Sequence, residues 1–236
     1  MPISAFSSCL DCAVRHQNPL KDLPEDILKD FSACKTANIY KRGQIIFYEG
    51  NRPFGIYCVT QGKIKLSKTT PDGKNYIVKI AKDGDLLGYR SFFTHEKYTA
   101  TAEALEDATI CFLDRNLFMD ALRRYPQFAL DILERMGQEL KCAEEKARDL
   151  AYKSAQERMV EMLLTLKETY GEAEGDGSYR IQITLTREEL ANMLGITTET
   201  AVRNLTWLKD KGLIAFERKV MRLLDPERLQ RLLPYY

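Results

Sequence analysis

No stretch of this chain approaches the roughly 18 consecutive apolar residues that a helix needs to cross a bilayer, and Met1 to Leu10 has no charged start followed by an apolar run. Neither a membrane span nor a secretory leader is expected, and a cytoplasmic location is the expectation that follows. Histidine is scarce: His16 and His95 lie in unrelated segments, the latter in a polar loop with Glu96 and Lys97. A β-rich enzyme of the cupin kind, which holds its metal through clustered histidines and a carboxylate, is thereby short of ligands. No P-loop, G-x-S-x-G or H-E-x-x-H pattern occurs either, so enzymatic activity is not expected.

The chain also lacks an excess of one charge. Lys+Arg number 35 and Asp+Glu 34, a formal net charge of +1, so no overall basic field attracts a polyanion. The imbalance is local: from Ser178 onward ten Lys+Arg stand against seven Asp+Glu. Six cysteines scattered over 236 residues suit reduced thiols or a metal site better than a disulfide framework. The length accommodates two domains.

The most informative stretch runs from Leu185 to Leu208. Thr186 followed by Glu189 is a capping box, and Leu185 can staple onto Leu190, so a short helix starts at Arg187. Leu190, Ala191 and Leu194 give it one apolar side, and Gly195 permits a sharp stop. Thr197 then caps a second helix. Its period carries Ala201, Leu205 and Leu208 inward and leaves Thr198, Glu199, Val202, Arg203 and Thr206 on the opposite arc. Two short helices around a glycine turn, with an outward face of small polar residues and one Arg, make a helix-turn-helix. An ordinary helical hairpin packed in a core is the alternative. Lys211-Gly212 ends the second helix, and L-I-A-F-E-R-K-V-M-R-L-L reads as two strands of a wing around Glu217 to Lys219. Arg187, Lys209, Arg218 and Lys219 then surround the outward face, where phosphate contacts set register, while Glu199 and Arg203 meet base edges.

Earlier in the chain, Met1 to Leu23 has little apolar periodicity but holds Cys9-x-x-Cys12 and His16, and Pro24 to Phe31 reads as a short helix. From Ile39 to Phe118 short β-prone runs follow: I-I-F-Y, G-I-Y-C-V, K-I-K-L, Y-I-V-K-I and T-I-C-F-L. Glycines punctuate them at the spacing of an antiparallel barrel or roll, and Pro71-Asp72-Gly73 supplies a hairpin turn. After Pro126 the period changes. Ala129, Leu133, Met136, Leu140, Ala143, Ala147 and Leu150 recur at steps of four and three among charged residues, the seam of a coiled coil that implies a dimer. The alternative is a helix packed on its own β-domain. A second helix from Ser154 to Tyr170 leads into Gly171 to Ser178, a polar loop read as the boundary of the reading head, with Ser154 as the hinge.

This order, β-roll then long helix then winged helix-turn-helix, resembles the Crp/Fnr family of bacterial transcription regulators over nearly the whole chain. The motifs that carry the likeness are G-D-L-L-G-Y-R-S-F-F at Gly84 to Phe93, S-A-Q-E-R-M at Ser154 to Met159, and T-x-E-T-A-x-R at Thr197 to Arg203. The expected fold is α+β: an N-terminal segment at 1–23, an antiparallel cyclic-nucleotide-binding-like β-roll at 24–125, a dimerisation helix at 126–153 and the winged helix-turn-helix at 154–236. The resemblance implies a homodimer on a pseudo-palindromic DNA site, with an effector or redox signal at the roll shifting the reading heads between poses. Double-stranded DNA and a second copy of the chain are the implied partners, with RNA polymerase a further candidate. A roll that serves only protein partners, without DNA, is the competing reading.

The same resemblance bears on the effector. In cyclic-nucleotide-binding members a Glu after the G-D-x-x-G loop holds the ribose and a following Arg-Ser pair holds the phosphate. Here the loop ends at Gly88, Tyr89 takes the first place and Tyr98-Thr99 the second, while Ala143 and Glu144 occupy the dimer-helix positions that offer hydroxyls to adenine. Without an Arg fork an anionic cyclic phosphate is poorly compensated, and Arg90 substitutes only if it turns inward, so cyclic AMP is disfavoured. Oxygen-sensing members hold an iron–sulfur cluster through three N-terminal cysteines and one in the roll. Cys9 and Cys12 match the first two and Cys111 the interior one, but the third place is Asn18, with His16 nearby. Thiol redox chemistry at Cys9 and Cys12, a small organic ligand, or none are the alternatives; Cys34, Cys58 and Cys142 read as apolar packing residues. In the reading helix Thr198 replaces an Arg of cyclic-AMP-receptor members and Val202 a Ser of oxygen-sensing ones, so the DNA site differs from both types. Asn204 falls near the core side, where relatives carry an apolar residue, and is expected to be half-exposed or bonded to backbone. The wing lacks a turn glycine.

Overall fold

The computed structural model describes residues 8–234; the start of the N-terminal segment, with the reading of Met1 to Ser7, lies outside the described residues. The chain divides into two compact units, Met1–Leu140 and Lys141–Tyr236.

In the first unit two short 3-10 turns, Arg15–Gln17 and Pro19–Asp22, lead into α1 (Glu25–Cys34). Eight strands follow: β1 (Thr36–Tyr40), β2 (Ile45–Phe47), β3 (Gly55–Gln61), β4 (Ile64–Thr69), β5 (Asn75–Ala81), β6 (Leu86–Leu87), β7 (Thr101–Ala104) and β8 (Ala108–Asp114), with α2 (Tyr89–Thr94) after β6. They form two antiparallel sheets in the orders β1-β8-β3-β6 and β2-β7-β4-β5. Alternation along the strands makes two cores. Val59 and Ile110 join Ile64, Leu66 and Ala102 inside the roll. Their neighbours Cys58 and Cys111 face the other way, among Leu20, Leu28, Phe31 and Phe118. This second core is closed by α1, α3 (Arg115–Arg124) and the first turns of α4 (Pro126–Tyr152). The five predicted β-runs are β2, β3, β4, β5 and β8; β1, β6, β7, α2 and α3 are additions, and α1 extends beyond the predicted Phe31.

Helix α4 carries both expectations made of it, at different positions. Phe128 and Ile132 are buried and Met136 packs against the same core, as for a helix lying on its own domain. Leu133 and Leu140 of the seam remain 60% and 61% exposed, and Leu130 and Leu150 are exposed as well. Ala143 and Ala147 continue that exposed stripe.

The second unit contains the remainder of α4, α5 (Ala155–Tyr170), β9 (Gly171–Ala173), β10 (Tyr179–Ile181), α6 (Arg187–Leu194), α7 (Thr198–Asp210), β11 (Ile214–Glu217), β12 (Val220–Leu223) and α8 (Pro226–Gln230). Ser154 and Glu157 cap α5 reciprocally. The segment Gly171 to Ser178 is not a loop between domains: it supplies β9 and the turn to β10, which extend the wing sheet to the order β11-β12-β10-β9. The glycine-rich composition serves a hairpin, with Gly177 at φ +83° and Glu174 N donating to Ser178 O at 2.8 Å. No helix among the described residues is long and apolar enough to cross a membrane.

Candidate nucleic-acid interface and effector pocket

The helix-turn-helix is built by the local signals read above. Thr186 Oγ1 accepts from Glu189 N at 3.0 Å while Glu189 Oε2 accepts from Thr186 N at 2.8 Å. Gly195 takes the left-handed conformation, φ +64°, at the end of α6. Thr197 caps α7, its hydroxyl accepting from Thr200 N at 3.3 Å. Ala201, Leu205 and Leu208 are buried, and Thr197, Thr198, Glu199, Val202, Arg203, Thr206 and Lys209 are all exposed. Glu199 stays ionised to lower pH than usual, held by its own backbone N–H and by Thr197. Arg203 reaches back to Thr200 Oγ1 at 3.5 Å.

Asn204 is buried, not half-exposed. It is 5% exposed, and its Nδ2 has no acceptor among the described residues. A buried donor left unpaired costs about 1–3 kcal/mol. Asn204→Leu, of similar volume, is therefore expected to raise stability by about 1–2 kcal/mol, visible as a higher urea midpoint with an unchanged slope.

The wing turns at Arg218 and Lys219, both exposed. With no glycine available, Arg218 itself adopts φ +58°, a conformation uncommon for a residue with a side chain. Behind the tip, Arg222 pairs with Glu217 at 3.0 Å and Asp176 at 3.0 Å, and Arg180 pairs with Glu174 at 3.0 Å and Glu217 at 3.3 Å. The β9–β10 hairpin thus braces the wing through carboxylates and guanidinium forks, a network invisible to pattern reading because its members are distant in sequence. Arg187 is half-buried, with its guanidinium 3.7 Å from the centre of the Phe216 ring; burial lowers its pKa from the ordinary arginine value.

In the roll, Gly88, Tyr89, Arg90, Tyr98 and Thr99 do line one pocket, together with Phe47, Lys79 and Glu139. Ala143 and Glu144 are exposed; the residue that α4 contributes to the pocket is Glu139, one helical turn earlier. Gly88, at φ +83°, leaves room for the Tyr98 ring, which a Cβ would approach to 3.0 Å. Tyr98 stacks on Phe47 with ring centres 4.0 Å apart. The cavity that remains measures about 30 Å³, a tenth of the roughly 300 Å³ at which small-molecule sites begin. Its cations are occupied. Lys79 Nζ lies 2.6 Å and Arg90 Nε 3.9 Å from the Glu139 carboxylate. Burial would raise that carboxyl, but Lys79, Tyr89 and Arg90 outweigh it and hold the group below its usual range. Burial, then the Glu139 carboxylate, pushes Tyr89 ionisation up.

Cys9, Cys12, Cys58 and Cys111 line a second cavity with Arg15, Asn18 and Lys35. Sequence reading assigned Cys58 to packing; the register that sets it directly opposite Cys111 is a long-range property no local signal reports. Burial is the main cause that raises the Cys58 thiol pKa, followed by Cys111, Cys12 and Cys9. Asn18, at the vacant third N-terminal place, is buried and turns Nδ2 toward Cys58 Sγ at 3.7 Å. His16 is exposed, so an imidazole does not fill that vacancy. Cys34 and Cys142 are exposed, not apolar packing residues: each lies on the outer side of its helix. The four thiols line a cavity of about 20 Å³, and among the described residues no three His, Cys, Asp or Glu side chains are grouped to hold a metal ion, so the side chains as placed do not fit a thiolate-bound cluster. His95, exposed, accompanies Arg115 at 3.1 Å.

Two family models match the chain, a cyclic nucleotide-binding domain over residues 38–125 and a Crp-like helix-turn-helix domain over residues 157–232. The chain is 30% identical over 224 residues to the nitrogen fixation regulation protein FixK of Bradyrhizobium diazoefficiens, covering 95% of this chain and 93% of that protein. It is 28% identical to the CRP-like cAMP-activated global transcriptional regulator of Mycobacterium tuberculosis, over 81% of this chain and 85% of that one. It is 27% identical to the transcriptional activator protein anr of Pseudomonas aeruginosa, over 92% and 88%. In fold it is similar to FixK2 of Bradyrhizobium japonicum, with a TM-score of 0.73 at 24% identity over 86% of this chain and 98% of that one. The roll, the capped reading helix and these likenesses agree: the chain belongs to the Crp/Fnr family of transcription regulators, whose members bind DNA and act as dimers.

Proposed function

We propose that two copies of this chain, joined along residues 126–153, lay α7 of each into successive major grooves of an inverted-repeat DNA site, and that Glu199 and Arg203 select a G·C pair in each half-site. Arg forks to guanine, and Glu accepts from the cytosine amino group. Val202 meets a thymine methyl, with Thr197, Thr198 and Thr206 beside it. Lys209, Arg218 and Lys219 hold phosphates; Arg187, stacked on Phe216, does so from a fixed position at the base of the wing. RNA polymerase is a further partner in this reading, and the cytoplasm its location. The observation that carries the proposal is the exposed polar arc of α7 opposite a fully buried Ala201, Leu205 and Leu208.

Selection of bound duplexes from a random pool is the test. Inverted repeats with half-site centres about 34 Å apart are expected. A stable monomer with no preference for such repeats over random competitor overturns the proposal. Lys219→Ala is expected to weaken all sequences alike and to reduce the slope of log affinity against log salt by about 1, measured by anisotropy titration.

The signal read by the roll, in this proposal, is not a classical cyclic nucleotide. The small pocket, the Tyr98 ring stacked on Phe47 and the pairing of Lys79 and Arg90 with Glu139 support that reading: an anionic ligand would have to displace a carboxylate already held by the same cations.

A further inference from the structure

A cleft of about 860 Å³ lies where the β2–β3 loop, β4, the segment after α2 and the first turn of α3 converge, within the roughly 300–1,000 Å³ that small-molecule sites occupy. Its walls carry Arg52, Lys68, Lys97 and Arg115, and among the described residues none of these four cations is ion-paired. Other lysines of the roll strands are paired: Lys63 with Glu106 at 2.7 Å, Lys65 with Glu103 at 2.9 Å and Lys79 with Glu139 at 2.6 Å. Two carboxylates, Glu49 and Glu96, also line the cleft, and Glu49 Oε2 accepts from Thr69 N at 3.2 Å. Four permanent cations against two carboxylates leave an excess of two positive charges, whose field the concave walls focus.

The cleft is held in shape before any ligand arrives. Tyr98 N donates to Asn51 O and Gly50 N to Tyr98 O, each at 2.8 Å, which ties together the two loops that form its walls. His95, at the end of α2, is held at φ +56°, in the left-handed region that a residue with a side chain uncommonly takes. Its Nδ1 lies 3.1 Å from an Arg115 terminal nitrogen. A guanidinium only donates, so Nδ1 accepts and the neutral imidazole carries its proton on Nε2. The Arg115 guanidinium also lies 4.9 Å from the centre of the Phe92 ring. Ring and imidazole together fix a half-buried arginine without the carboxylate that would otherwise occupy its fork.

We infer that this cleft binds a small molecule through a diphosphate group. Arg52 and Arg115 supply planar forks, Lys68 and Lys97 supply compact point charges, and the His95 imidazole is a further donor. Two adjoining phosphoryl groups balance the excess charge, which one carboxylate or one neutral ligand leaves unmet. The volume admits both the free ion and a diphosphate esterified to an organic group. The cleft is separate from the interior pocket, but Tyr98 and Thr99 line both. The segment that brings Lys97 to the cleft therefore also carries the ring that stacks on Phe47.

The test is calorimetric titration of the full chain at fixed ionic strength with inorganic diphosphate and with ADP, and with inorganic phosphate and citrate as the arms that lack the group. Saturable binding is expected for the first two and not for the others. The tighter of the two tells the free ion from an organic diphosphate. Lys68→Glu combined with Lys97→Glu is expected to weaken binding about 10-fold or more; both side chains are exposed, so this variant keeps its fold where Arg115→Ala, expected to lose as much, fails to. Lys29→Glu combined with Lys41→Glu makes the same change in net charge outside the cleft, at two exposed residues, and is expected to leave affinity within about 2-fold. No saturable binding, an equal loss in the Lys29 and Lys41 variant, or citrate bound as tightly as diphosphate would overturn the inference. So would binding of random duplex that is lost with Lys68 and Lys97, which would make the cleft a nucleic-acid contact. The ligand titrations contain no DNA, so this inference and the DNA-binding proposal fail separately.

Discussion

Replacing Arg203 by alanine is expected to cost roughly 1–3 kcal/mol per half-site, about 5- to 150-fold, and to relax base preference at one pair. Both protomers carry the residue, so the symmetric site loses about twice that energy. The side chain is exposed and its bond to Thr200 Oγ1, at 3.5 Å, is long; stability is accordingly expected to move by no more than about 0.5 kcal/mol. Competition titrations with duplexes varied at each position separate the two effects. A uniform loss across all sequences would make Arg203 a phosphate contact, and unchanged affinity and preference would mean that the reading face of α7 has been misassigned.

Leu133→Glu combined with Leu140→Glu is expected to have the larger effect. Each leucine is more than half exposed in the isolated chain, and burying such a side chain against a partner contributes about 1.5–3 kcal/mol. Carboxylates at both positions on two facing helices remove that gain and add repulsion. Analytical ultracentrifugation is expected to show a monomer. Losing the second reading head removes the avidity term, about 100- to 10,000-fold in DNA affinity, while the melting of each unit changes little. A variant that stays dimeric would place the interface elsewhere.

The reading half of the molecule was legible because its signals are local. Thr186 with Glu189, Gly195 and Thr197 each act within four residues, and each does in the structure what its chemistry requires. The family likeness of the whole chain rested on one of these stretches, Thr197 to Arg203, together with Gly84 to Phe93 and Ser154 to Met159. Misses arose where distant packing overrides local preference. The strand β7 is T-A-E-A, a composition that favours helix, and is extended only because β2 and β4 flank it. β1, T-A-N-I-Y, is largely exposed and lacks an alternating apolar pattern. At the candidate sites, the five pocket residues of the roll were found from motif position, but Glu139 was not: its partners Lys79 and Arg90 lie dozens of residues away. Cys58 was missed for the same reason. Its meaning depends on what stands opposite it, and strand register is a property of the folded sheet.

The brace behind the wing has a bearing on how DNA affinity is measured. Arg180 and Arg222 are held to Glu174, Asp176 and Glu217 at the surface, and added electrolyte weakens such pairs as it screens them. A salt titration therefore loosens the scaffold of Arg218 and Lys219 while it also competes for the duplex. The raw gradient of such a titration overstates how many phosphates are neutralised, and only the difference between wild type and a variant, taken at matched ionic strength, counts them one by one.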